Sequence, residues 1–118
     1  LARNENEEAS MFIALQVSIE VVQALRDVVS QLATRDSTLA DQIRRAASSA
    51  VLNIAEGAKR AGKDQAHHYR IAAGSAAEVR AAIAVGAAWG YFDAASYATL
   101  EALFDRQAAL LHRIAHRR

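Results

Sequence analysis

Residues 42–57 read Gln42-Ile43-Arg44-Arg45-Ala46-Ala47-Ser48-Ser49-Ala50-Val51-Leu52-Asn53-Ile54-Ala55-Glu56-Gly57. At about 100° per residue, Gln42, Arg45, Ser49, Asn53, Glu56 and, just beyond, Arg60 fall within roughly 40° of one line. The opposite arc carries Ile43, Ala47, Ala50, Val51, Ile54 and Ala58. Such two-sidedness predicts an amphipathic helix with one packed face. Taken alone, its polar stripe reads as a solvated surface.

Working outward, Thr34-Arg35-Asp36-Ser37 is a polar break before this helix. Ser37 or Thr38 is expected to cap it, with Asp41 placed like the acid of a capping box. Ala61-Gly62 supplies the terminator. Upstream, Phe12, Leu15, Ile19, Val22, Leu25, Val29 and Leu32 step by three or four, and Val17, Val21 and Val28 widen that stripe. Downstream, Asp64 places negative charge in the first turn of a third helix, and Gly90 suits its C-terminal end. Asp93 or Ser96 can cap a fourth, in which Tyr97, Leu100, Phe104, Leu111 and Ile114 keep a heptad-like step beside Leu103 and Leu110. The expected helices are about 10–34, 37–60, 63–89 and 93–117. Short connections make neighbours antiparallel, so the fold class is all-α, an up-down-up-down four-helix bundle over residues 10–118. Residues 1–9, with Glu5, Glu7 and Glu8, are expected to form a flexible acidic segment.

Composition agrees and narrows the functional classes. The chain has 118 residues, 53% apolar, with 29 alanines and no proline, as long uninterrupted helices require. The absence of cysteine excludes disulfides, thiolate metal sites and cysteine nucleophiles. No basic-then-apolar leader opens the chain, and the longest uncharged stretch, Ala81 to Phe92, is short of the about 20 residues a bilayer needs. A cytoplasmic protein with no membrane partner is the expectation.

The third helix alters the reading of the polar stripe. Ile71, Gly74, Ser75, Ala82 and Val85 share a face with Glu78 in its middle. An acid embedded in an apolar face needs a partner or neutralises. Antiparallel pairing about residue 61 puts position 78 opposite positions 44 and 45, so Arg45, or else Arg44, is the expected partner. The same register brings Asn53 near Tyr69 and Ser75 near Ser48. A polar layer of Arg45, Ser49, Asn53, Glu56, Ser75 and Glu78 is therefore expected, with register control as its structural role. Glu78→Ala is expected to destabilise more than Glu101→Ala. An acid–base site using Glu56 or Glu78 is the chemical alternative, but no nucleophile, metal or phosphate loop accompanies it.

Other chemistry finds little footing. No glutamate precedes a histidine by three residues, as a two-metal helical bundle requires. His112 and His116 share a helix face without a third ligand, and the adjacent His67 and His68 diverge by about 100°. No glycine-rich phosphate loop or nucleophile elbow occurs. No catalytic, cofactor or metal residue is assigned, and no enzyme activity is expected. Charge is uneven although formal net charge is +1: residues 1–36 carry three basic and six acidic side chains, residues 37–118 carry 11 and seven. Arg44, Lys59, Arg60, Lys63, Arg70, Arg113, Arg117 and Arg118 are the candidate phosphate contacts of an RNA or DNA partner.

The stretch 42–57 resembles the signature of the bacterial four-helix bundle family named for proteins encoded by intervening sequences in 23S ribosomal RNA genes. The family pattern runs approximately Q-I-R-R-A-x-x-S-I-x-x-N-I-A-E-G, a basic turn, then G-S-x-x-E and a close near L-G. Here the later elements are Gly74-Ser75-Ala76-Ala77-Glu78 and Trp89-Gly90-Tyr91. Ala50-Val51 stands where isoleucine-proline is usual, and Ala73 where a basic residue often precedes Gly-Ser. The resemblance implies an antiparallel bundle that assembles into a homo-oligomer, commonly a pentameric ring, without an established enzyme activity. A similar bundle is the accessory protein of diversity-generating retroelements, which binds nucleic acid and a reverse transcriptase. On this footing Arg45, Asn53, Glu56 and Glu78 are read as a structural polar core. The functional expectation is a homo-oligomeric scaffold that binds RNA or DNA weakly, the alternative being a protein-binding adaptor with no nucleic-acid role.

Overall fold

A computed structural model describes residues 5–116. Four helices follow in order, α1 (Glu5–Ala33), α2 (Ser37–Ala58), α3 (Gly62–Ala88) and α4 (Ala94–Ala115). Each packs on the next and α4 closes back on α1, giving the up-down-up-down bundle. The first helix starts at Glu5, five residues before Ser10, so the acidic residues Glu5, Glu7 and Glu8 lie in its first turn, where negative charge suits the helix N-terminus. Residues 1–4 of the expected N-terminal segment lie outside the described residues.

The helix ends follow local chemistry. Asp36, not Ser37 or Thr38, caps α2, its Oδ1 accepting from the Leu39 amide at 3.0 Å. The side chain of Gln65 reaches back to donate to the carbonyls of Gly57, which also accepts from the Arg60 amide, and of Arg60, tying the start of α3 to the end of α2. Gly62 turns the chain into α3 with φ +59°, a backbone conformation that disfavours any residue with a Cβ. Gly90, at φ +78°, does the same after α3. Asp93 then caps α4, accepting from the Ser96 amide at 2.8 Å.

The core forms two clusters along the bundle axis. One gathers Leu25, Leu32, Ile43, Ile83, Leu100 and Phe104. The other gathers Met11, Val17, Ile54, Tyr69, Leu111 and Ile114. Where they meet, Gln107 of α4 donates to the hydroxyl of Ser18 of α1 at 3.1 Å, both side chains fully buried. Each polar group satisfies the other, as burial demands.

Two helices present a different face from the one their sequence suggests. In α1 the inward residues are Met11, Ala14, Val17, Ser18, Val21, Leu25, Val28, Val29 and Leu32. Phe12 (59% exposed), Ile19 (43%) and Val22 (36%), the first half of the expected stripe, face outward. In α3 the inward residues are Tyr69, Ala72, Ala76, Val79, Ala82, Ile83 and Gly86. Ile71, Gly74, Glu78 and Val85 are exposed. The packed face of α3 is thus turned by roughly 120° from the expected one. Alanine on nearly every side leaves α3 with weak periodicity, and its bulkier Tyr69, Val79 and Ile83 decide which face is buried. By length and composition α3 alone among the described helices could cross a membrane, with a mean hydropathy of 1.3 over an 18-residue window. A third of that window is buried inside the bundle.

Candidate functional site

The polar stripe of α2 divides along its length. Gln42 and Arg45 are exposed, whereas Ser49, Asn53 and Glu56 are half-covered. Opposite the covered part, α3 supplies Ser75 and His68. The hydroxyls of Ser49 and Ser75 lie 2.9 Å apart. The Asn53 amide donates to the Ser49 carbonyl at 2.9 Å and to its hydroxyl at 3.2 Å. With that nitrogen committed, Asn53 Oδ1 is the acceptor, so the His68 Nδ1–H donates to it across 3.1 Å. His68 Nε2 stands 3.9 Å from the Asp64 carboxylate. A hydrogen-bonded polar seam therefore runs from Ser75 through Ser49 and Asn53 to His68, with the Asp64 carboxylate near its end.

Beyond the seam, Arg60 bridges the two helices at their connection. It donates to Glu56 at 2.7 Å and to Asp64 at 2.8 Å. The hydrogen bonds from Arg60 hold both carboxyls below their ordinary values, and the same bonds hold the guanidinium above its own. The chain of groups superficially resembles a hydrolytic triad, but Asn53 separates the hydroxyls from the imidazole. A general base must reach its nucleophile's proton directly or through one water. The arrangement suits register control better than proton abstraction.

The expected register is near the observed one, but two expected members are absent from the layer. Ser75 meets Ser49 rather than Ser48, which is exposed, and Asn53 meets His68 rather than Tyr69. Glu78 and Arg45 are both exposed and form no ion pair, because the turn of α3 carries Glu78 out to solvent. A charged side chain with access to water needs no buried partner. The covered acid is instead Glu101 of α4. Its Oε2 lies 2.9 Å from Arg80 Nε of α3, and its Oε1 accepts from the Tyr97 hydroxyl at 3.1 Å. Arg80 also reaches Asp105 at 2.6 Å, and these bonds raise its affinity for its proton, that to Asp105 most. Sequence reading missed His68, Arg80 and Glu101. Opposite charges at 80, 101 and 105 on adjacent helices were the available signal.

Close approach at the seam depends on Gly57. A Cβ built there would lie 2.7 Å from the buried Tyr69 ring. Gly74, expected at this contact, faces open space.

The candidate phosphate contacts fall into two groups. Arg44 is paired with Asp41, and Arg60 with Glu56 and Asp64. Lys59, Lys63, Arg70 and Arg113 are exposed, with no ion pair among the described residues. Arg117 and Arg118 lie outside the described residues. Antiparallel topology puts Lys59, Lys63 and the end of α4, including Arg113, at one end of the bundle. His112 and His116 stack there with ring centroids 4.2 Å apart, and no cluster of three or more metal-ligating side chains occurs among the described residues.

Residues 10–113 match the family described as 23S rRNA-intervening sequence protein. The chain belongs to that family. A crystal structure of a protein of unknown function from the S23 ribosomal protein family of Bacteroides thetaiotaomicron VPI-5482 is similar, with a TM-score of 0.83 at 19% identity. The likeness covers 92% of this chain and 96% of that one, and at this identity it speaks for the fold alone. No curated protein matches the chain. The seam residues Ser49 and Asn53 fall inside the stretch that carries the family resemblance. Gly57, which admits Tyr69, closes the same stretch.

Proposed function

We propose that the protein is a non-enzymatic scaffold that associates with copies of itself and binds RNA through phosphate contacts. What carries this reading is the apolar surface left uncovered on one chain. Phe12, Ile13, Ile19, Val22, Leu52, Ile71, Val85 and Trp89 are all substantially exposed, Leu52 at 66% and Trp89 at 71%. A domain of this size gains stability by covering such surface in an assembly. The resemblance favours a pentameric ring. Repetition in any assembly multiplies the uncompensated Lys59, Lys63 and Arg113 at one end of the bundle, turning a weak basic patch into a larger one.

Absolute mass in solution, measured with and without RNA over a salt series, tests both parts. The expected result is a mass several times 12.7 kDa that carries RNA at low salt. Neutralised phosphates release counterions, so affinity should fall steeply as salt rises, and the double substitution Lys59→Glu, Lys63→Glu should weaken binding and flatten the salt dependence. A monomer at all concentrations would remove the scaffold. An oligomer without RNA binding at low salt would leave the protein-binding adaptor, for which exposed Trp89, Val85 and Ile71 on α3 offer an apolar surface.

A further inference from the structure

Two apolar faces that the sequence marks for packing are left open by the bundle. On α1, Phe12, Ile19 and Val22 are exposed within an arc of about 80°. Leu15, between them, packs on the core and is no part of this surface. On α3, Ile71, Gly74, Glu78 and Val85 are exposed within an arc of about 60°. The helices α1 and α3 stand at opposite corners of the bundle. Beside the first face Ser18 of α1 meets Gln107 of α4, and beside the second Ser75 of α3 meets Ser49 of α2. The first face therefore looks outward on the α1–α4 side, and the second on the α2–α3 side. One chain cannot bring its own two faces together.

The faces match in height and in charge. Glu78 lies in the middle of the α3 face, exposed and with no ion pair among the described residues. An acid that becomes covered within an apolar surface needs a cation. The α1–α4 side supplies one in Arg106, which is also exposed and has no ion pair among the described residues. The Ser18–Gln107 bond sets Ile19 and Arg106, the chain neighbours of the bonded pair, at one height. Arg80 meets Glu101 and Asp105, which sets that same height against the turn of α3 that holds Glu78. Copies related by cyclic symmetry stand side by side in the same orientation. Such copies bring Ile19 and Arg106 of one level with Glu78 of the next, between its Ile71 and Val85. We infer that the outward face of α3 docks on the α1–α4 side of a second copy of this chain, with Ile71 and Val85 against Phe12, Ile19 and Val22 and with Glu78 paired to Arg106.

This inference rests on the self-association reading and specifies its contact. Two different patches join copies head to tail, the kind of contact from which a five-membered ring is closed. Sedimentation compares wild type with Ile19→Glu, Ile71→Glu and Ile13→Glu, and circular dichroism confirms the helical fold of each. Ile19→Glu and Ile71→Glu should each reduce the assembly to monomers. Ile13→Glu, at an exposed position on the other side of α1, should leave its mass unchanged. Each of the first two variants keeps the face that the other has lost. Their equimolar mixture should therefore form a 1:1 dimer and nothing larger. Val85→Glu, on the same α3 face, takes the place of Ile71→Glu if that variant loses helicity. Glu78→Arg and Arg106→Glu should each weaken association several-fold at low salt, and the two together should restore it.

An assembly indifferent to Ile19→Glu or to the α3 variants overturns the inference, as does a mixture that stays monomeric. A double reversal that remains weak overturns the Glu78–Arg106 pairing. In each of these self-association itself survives. A wild-type monomer at all concentrations overturns both.

Discussion

The helix α3 meets its two neighbours by different physics. Against α2 it comes close at the Gly57–Tyr69 contact, and the polar groups caught between the helices are mostly neutral: Ser49, Ser75, Asn53 and His68. Against α4 its polar contact lies nearer the rim and is ionic, with Arg80 held between Glu101 and Asp105. Where backbones approach closely there is no room to hydrate a charge, so short neutral side chains pair with one another. Where the helices open to solvent, long charged side chains can meet and remain partly wet. The first contact should therefore depend on volume and the second on charge.

Volume gives the largest expected effect. Gly57→Ala drives a methyl into the ring of Tyr69, which is 4% exposed and cannot swing aside. Overpacking of this kind costs about 1–3 kcal/mol, against a helix-propensity gain of about 1 kcal/mol. A net loss of up to about 2 kcal/mol is expected by denaturant unfolding. Gly74→Ala, on the same helix pair but facing open space, should keep the propensity gain and stabilise by about 0.5–1 kcal/mol. If both substitutions shift the midpoint alike, the close contact of α2 and α3 is not where the structure places it.

Charge gives the next effect, and it inverts an expectation drawn from the sequence. Glu101→Ala strips partners from Arg80 and Tyr97 at once. The side chain is 28% exposed and its partner 37%, so after solvent screening a loss of about 1 kcal/mol is expected. Glu78→Ala touches an exposed carboxylate and should stay within about 0.5 kcal/mol of wild type. Thermal melts of the two variants decide the matter. A larger drop for Glu78→Ala would mean that α3 is turned the other way in solution.

That inversion shows what the sequence could reveal. Helix order, their antiparallel arrangement and the breaks near residues 35, 61 and 91 followed from turn chemistry and periodicity, because glycine, aspartate and charged breaks act locally. The α2–α3 register was within about one residue, since a short connection leaves little freedom. Rotation about each helix axis was harder. α2 and α4 have apolar faces well separated from polar ones, and their buried residues match the expected arcs. α1 offers two competing apolar stripes, and α3 is small and apolar nearly all round. In both, the choice of face is made by volumes on neighbouring helices. Glu78 was misplaced by the rotation of α3. His68 was missed because its partner was assigned by register alone, without rotation.

The smallest expected effect concerns pH at the α2–α3 connection. Arg60 holds Glu56 and Asp64 below their ordinary carboxyl values by donating hydrogen bonds to both. As pH falls, the unfolded chain takes up protons at these sites before the native one does, which favours unfolding. The contribution is therefore complete above the ordinary carboxylate range, about pH 4, and is lost as pH drops through and below it. All three side chains are more than 40% exposed, so water screens the pairs and the contribution is small. Arg60→Gln removes the cation without removing the carboxylates. Its melting temperature should lie slightly below wild type near neutral pH, and the two curves should converge as pH falls through and below the ordinary carboxylate range. A gap that stays constant across that range would assign the effect of Arg60 to packing at the turn, and the ionic bridge would then play no part in joining α2 to α3.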